Sequence, residues 1–154
     1  MRTRLLPASP PTPDAFRERA RAAFSFLIEA AGCHEEPTPP LGFQNPVAVW
    51  FANGTTRVVV EGVNWGKHVR VALGRTSGPF ENLDLGDLVA ERAPEAGLTA
   101  DEPHVGQFAE LSRMAEWLRV FGAEILSGDF RVFPLLEARV EQRRAQIRAS
   151  RHAP

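Results

Sequence analysis

The stretch Val47-Ala48-Val49-Trp50-Phe51-Ala52-Asn53-Gly54-Thr55-Thr56-Arg57-Val58-Val59-Val60-Glu61 decides the fold class. Two runs rich in β-branched and aromatic residues flank an Asn-Gly pair. Both members of that pair tolerate the positive φ of a type I′ turn, so the spacing predicts a β-hairpin with Asn53-Gly54 at its tip. Such a turn places Ala52 opposite Thr55, Trp50 opposite Arg57, Val49 opposite Val58 and Val47 opposite Val60. A second turn at Trp65-Gly66 places Val60 opposite Val71, Val58 opposite Leu73 and Glu61 opposite Arg70. Under both registers Val47, Val49, Phe51, Val58, Val60, Val69, Val71 and Leu73 share one face, the expected core face. Ala48, Trp50, Arg57, Val59, Glu61, His68, Arg70 and Ala72 share the other, where Arg57 is expected to stack on Trp50 and Glu61 to pair with Arg70.

Outside this meander the periodicity is helical. Thr12-Pro13-Asp14 reads as a helix start, and Phe16, Ala20, Ala23, Phe24, Leu27, Ile28 and Ala31 form one apolar stripe closed by Gly32. Glu35 to Pro40 reads as a stiff connector, and Gly74 to Pro79 as a loop. Leu83, Leu85, Leu88 and Val89 predict a short helix from near Asp84 to Pro94. Phe108, Leu111, Ala115, Leu118, Phe121 and Ile125 predict a long one from about Pro103 to Leu126, broken by Ser127-Gly128-Asp129. A last helix, carrying Phe133, Leu136, Val140 and Ile147, begins at Phe130 or Pro134 and runs to Ala149. The expectation is an α+β fold: an N-terminal helix, a three-stranded antiparallel meander, then three helices packed on one face of the sheet. Residues 13–149 form the single domain, between disordered tails at 1–12 and 150–154.

Composition narrows the function classes. The chain has 154 residues, 44% hydrophobic and 24% charged, values of a globular domain that can bury a core unaided. A net charge of −1 gives no global attraction to nucleic acid or anionic lipid. Cys33 is the single cysteine, which rules out an intrachain disulfide. No stretch is long enough to span a membrane, and the opening apolar run stops at Pro7, too short for a signal peptide. A cytoplasmic location is therefore expected. Arginine almost wholly replaces lysine, which reads as the coding bias of a GC-rich bacterial genome.

Charge is segregated. Glu81, Asp84, Asp87, Glu91, Glu95, Asp101, Glu102 and Glu110 make an acidic segment, a candidate dock for a basic partner. Arg139, Arg143, Arg144, Arg148 and Arg151 crowd the end, where the helix macrodipole already favours cations.

No catalytic, cofactor-binding or metal-binding set emerges. Cys33-His34-Glu35-Glu36 juxtaposes suitable groups, but adjacent residues rarely converge on one ion, whereas helical or paired spacings do. His68 and His104 read as surface histidines. Gly74-Arg75-Thr76-Ser77-Gly78 lacks the Lys-Ser/Thr pair of a phosphate loop and runs into Pro79. Asn53-Gly54-Thr55 matches a glycosylation sequon but is needed for the turn. No cofactor is expected.

The run Trp117 to Phe130 contains Leu126-Ser127-Gly128-Asp129-Phe130 and is followed by Phe133 and Leu136. It resembles the closing signature of a widespread group of small bacterial proteins, in which a strand meander and a short leucine-containing helix precede a helix ending in Leu-x-Gly-Asp-Phe. The resemblance spans about residues 43 to 138. It implies this fold and a style similar to immunity or accessory proteins, and it implies no activity.

The functional expectation is a non-enzymatic protein-interaction domain. Its candidate surface is Trp50, Arg57, Val59, Glu61, Trp65, His68 and Arg70, with the acidic segment as a second dock. Trp65, an indole at a hairpin tip, fits a binding hot spot or a ring folded back onto the sheet edge. The partner is expected to be another protein, or a second copy of the chain through the sheet. Nucleic acid through the terminal arginines is disfavoured, and no membrane is expected. The competing expectation is a small-molecule-binding or catalytic domain using the same sheet face.

Overall fold

The computed structural model describes residues 12–37, 47–63, 68–96 and 106–152. The second hairpin turn at Trp65-Gly66 and His104 lie outside these residues. The sheet has five antiparallel strands in the order β1-β2-β3-β4-β5: β1 His34–Glu36, β2 Ala48–Ala52, β3 Thr56–Val63, β4 His68–Arg75 and β5 Leu83–Asp84. The expected three-stranded meander is thus its centre, and an edge strand is added on each side. Both additions are short, three residues and two. β1 lies where a stiff connector was expected, and β5 lies in residues that also read as a helix start.

The β3–β4 register matches the expectation, with Val58 opposite Leu73, Val60 opposite Val71 and Glu61 opposite Arg70. The β2–β3 register does not. Val49 lies opposite Val60 and Trp50 opposite Val59, two residues from the expected partners. The cause is the Asn53 side chain. Its Oδ1 accepts from the Thr55 and Thr56 amides at 2.9 and 2.8 Å, while the Asn53 amide donates to the Thr56 carbonyl at 3.0 Å. Asn53 therefore closes the ladder, and Gly54-Thr55 forms the loop. Neither Asn53 nor Gly54 adopts positive φ, so the turn is not type I′. A two-residue slip leaves every side chain on its expected face.

The N-terminal helix is two. Thr12 caps α1 (Pro13–Ala23) by accepting from the Ala15 amide at 3.1 Å, and Pro13 occupies its first turn. The chain turns at Phe24-Ser25 and resumes as α2 (Phe26–Glu29). This break lets Phe24 and Leu27 both become fully buried. Gly32, at φ +69°, ends the segment. α3 (Leu85–Arg92) is capped by Asp84, whose carboxylate accepts from the Gly86 amide at 2.7 Å. A 3-10 turn over Pro94–Ala96 follows.

The expected long helix is also divided, into α4 (Gln107–Phe121) and α5 (Ala123–Leu126). Gly106 at φ +89° fixes the start of α4. At Gly122 a Cβ would collide with the Leu118 side chain and carbonyl, so only glycine allows the chain to close that turn. Gly128 at φ +94° then breaks α5 from the final helix, α6 (Phe133–Arg151), with Pro134 in the first turn.

All six α-helices of the described residues contribute to one core with the expected inner face. Phe16, Phe24, Leu27, Leu88, Leu111, Leu118, Ile125, Phe133 and Leu136 pack against Val49, Phe51, Val58, Val60, Val71 and Leu73. The hairpin tip fastens this layer. Asn53 Nδ2 donates to the Ala31 carbonyl at 3.0 Å and the Leu126 carbonyl at 2.8 Å, and Thr56 Oγ1 donates to the Ile125 carbonyl at 2.7 Å. The Leu-Ser-Gly-Asp-Phe element is thereby a structural contact: Gly128 passes so close to Thr55 that a Cβ there would lie 3.1 Å from its methyl group.

Candidate interaction surface

On the outer face, cross-strand pairing sets Glu36, Trp50, Val59, Ala72 and Asp84 in one row. Ala48, Val59 and Ala72 are buried beneath the half-buried rings of Trp50 and Phe80, whose centroids are 6.1 Å apart. Phe80 comes from the loop after β4 and folds back over Gly74, where a Cβ would run into its ring. The apolar centre of the candidate surface is thus largely covered by the chain itself.

Ion pairs frame this small apolar cluster. Arg57 donates to Glu36 on β1 through Nε at 2.7 Å and Nη2 at 3.2 Å, instead of stacking on Trp50. Hydrogen bonding from Arg57 holds the Glu36 carboxyl below its ordinary value and raises the guanidinium, while partial desolvation opposes both shifts. On the other side Arg70 Nη1 donates to Glu61 Oε1 at 3.1 Å and to Asn82 Oδ1 at 2.8 Å, and its Nε lies 3.3 Å from Asp84 Oδ2. The expected Glu61–Arg70 pair is present.

The structure therefore brings Trp50, Arg57, Val59, Glu61 and Arg70 together. It does not bring His68 with them: His68 is exposed at the start of β4, with Nδ1 3.7 Å from Glu110 Oε1 on α4, a helix of the opposite layer. Trp65 lies outside the described residues. Sequence reasoning missed Glu36, Phe80, Asn82 and Asp84. One signal was available for Phe80, since a glycine inside a strand, here Gly74, marks a close approach.

The other candidates resolve into structure. Cys33 is buried in the core, where desolvation pushes its thiol up. His34 is exposed, Glu35 makes a bidentate contact with Arg21 of α1, and Glu36 faces Arg57, so these side chains do not converge. No group of three potential metal ligands occurs among the described residues.

Much of the acidic segment is answered by the chain's own arginines. Glu81 accepts from the Arg75 amide, Glu91 from Arg139 at 2.8 Å, and Asp87 from Arg143 Nη2 at 2.7 Å. Burial of Asp87 to 7% exposure leaves it little surface for a second protein.

The fold and surface define an α+β domain in which the described helices pack on one side of an antiparallel sheet and a framed aromatic pair lies on the other. No family model, curated protein or solved structure matches the chain. Among the described residues no helix is long and apolar enough to cross a membrane.

Proposed function

We propose that the chain is a non-enzymatic protein-interaction domain, of the immunity or accessory type its sequence resembles, which binds another protein through the outer face of its sheet. The observation carrying this reading is the Trp50–Phe80 pair, half-buried on the sheet and framed by the Arg57–Glu36 and Arg70–Glu61 pairs. Trp and Arg are the residues most enriched at binding hot spots. Side chains locked by neighbouring ion pairs lose little further freedom on association. A small-molecule or catalytic use of the face is less well supported, because the guanidinium and carboxylate groups that would serve it already satisfy one another.

The test is a photo-crosslinking amino acid placed at Phe80 in the cells that make the protein, with one at exposed Glu18 on α1 as the control. Adducts of one defined mass from position 80 and not from position 18 are expected. An adduct of twice 17.0 kDa identifies the partner as a second copy. If position 80 yields no adduct, or the same adducts as position 18, the sheet-face reading fails.

A further inference from the structure

The final helix outruns the body it packs on. Phe133 and Leu136 are buried and Val140 half-buried, but every residue from Glu141 to His152 is exposed. The last attachments are ion pairs to α3, Arg139 with Glu91 and Arg143 with Asp87. The order of these pairs shows that α3 and α6 run antiparallel, so α6 continues past the N-terminus of α3 at Leu85. From Arg144 to Arg151 it extends about 12 Å further at the helical rise.

The overhang is not a neutral end. Counted by sevens, Phe133 and Val140 lead to Ile147, which lies on the same stripe but is 51% exposed. Arg144, Arg148 and Arg151 surround it. Arg148 pairs with Glu141 on its own helix, and Arg144 and Arg151 make no ion pair among the described residues. An unsupported helix end of this length frays in water, so an ordered one gains from a surface to lie on.

We propose that the distal half of α6 is a docking element for an acidic helix of a partner protein, one carrying carboxylates four residues apart beside a small apolar residue that receives Ile147. The chain supplies the template for this recognition: α3 offers Asp87 and Glu91 at that spacing, with Leu88 between them, to the arginines of the proximal half. The distal half repeats the arginine spacing at Arg144 and Arg148. An acidic protein helix is favoured over a polyphosphate because α3 already seats carboxylates at i and i+4 against Arg139 and Arg143, while a net charge of −1 gives the chain no general attraction to a polyphosphate. This element is separate from the sheet face and stands without it.

The experiment titrates the full chain with a fluorescent Ala/Leu helical peptide of about 18 residues bearing Glu at i and i+4 positions, followed by anisotropy. A Gln-for-Glu peptide and a DNA duplex of similar length serve as comparisons. Saturable binding that weakens with salt is expected for the acidic peptide alone. Combined Arg144→Gln, Arg148→Gln and Arg151→Gln substitution weakens it about tenfold, and Ile147→Ala about fivefold. All four positions are exposed, so thermal unfolding stays unchanged. Absence of binding, equal binding by the triple variant or the Gln peptide, or tighter binding of the duplex overturns the proposal.

Discussion

Asn53 is the residue on which the hairpin and the helical layer both depend, and its replacement gives the most discriminating test of the fold. Its side chain makes two donations, to the Ala31 and Leu126 carbonyls, and accepts from the Thr55 and Thr56 amides. A part-buried hydrogen bond contributes on the order of 1 kcal/mol net, and an orphaned buried partner costs more than an exposed one. Thr55 is exposed and its amide can turn to water, whereas Thr56 is fully buried and its amide cannot. Asn53→Ala therefore loses about 3 kcal/mol: two staples and one buried amide. That is a large share of the ~5–15 kcal/mol of a typical domain.

Asn53→Asp separates the two roles. It keeps the acceptor that shapes the turn but sets a carboxylate oxygen against two carbonyls, for a loss of about 2 kcal/mol at neutral pH. Those carbonyls raise the folded-state pKa of the new carboxyl, so the folded form holds its proton more tightly. The variant should then recover stability as pH falls through the folded pKa, opposite in sign to the wild type. Urea unfolding at several pH values measures both variants. A loss below about 1 kcal/mol for Asn53→Ala, or an Asp variant as stable as the wild type at neutral pH, would refute this account of the hairpin tip.

Gln107 is buried on α4 over Gly62, beside Phe16 and Val47, with neither amide atom hydrogen-bonded among the described residues; Gln107→Met should stabilise the domain by about 1–2 kcal/mol in the same urea assay. Gly74→Val pushes a side chain into the Phe80 ring, so it should destabilise by about 2 kcal/mol and shift the Trp50 indole resonance as the outer cluster opens. Hydrogen bonds from Arg131 hold the Asp129 carboxyl at about 2 against an ordinary 3.8, and Glu36 is lowered by Arg57. The unfolded chain then takes up these protons first, and stability declines as pH falls from about 4.5 toward about 2; Glu36→Gln with Asp129→Asn should flatten that decline in acid titrations of unfolding.

The sheet faces were legible in the sequence because side-chain alternation survives an even slip of register. The slip itself was hidden, because it depends on where Asn53 Oδ1 bonds and not on the turn preference of Asn-Gly. Edge strands β1 and β5 escaped notice because three and two residues carry no periodicity. The helix breaks at Ser25 and Gly122 interrupt apolar stripes that read as continuous, since tertiary packing and not propensity places them. Of the candidate surface, the sheet register gave Trp50, Arg57, Val59, Glu61 and Arg70. Glu36 and Phe80 arrive from segments that only the fold brings near. The acidic and basic runs were each visible, but their mutual pairing between α3 and α6 spans 48 and 56 positions of sequence.

The Asn53 amide also sets an order of events. It binds carbonyls 22 positions earlier and 73 positions later in the chain, and its neighbour Thr56 reaches forward 69. Closing so long a loop is entropically slow, while the hairpin itself is local. During synthesis β2 and β3 can pair as soon as both have emerged, yet their tip stays unfastened until α5 has been made. The hairpin forms early and locks late: the Thr56 amide, bonded within the turn, should gain protection from hydrogen exchange with β2 and β3, whereas the Asn53 Nδ2 protons should gain it only once α5 is in place.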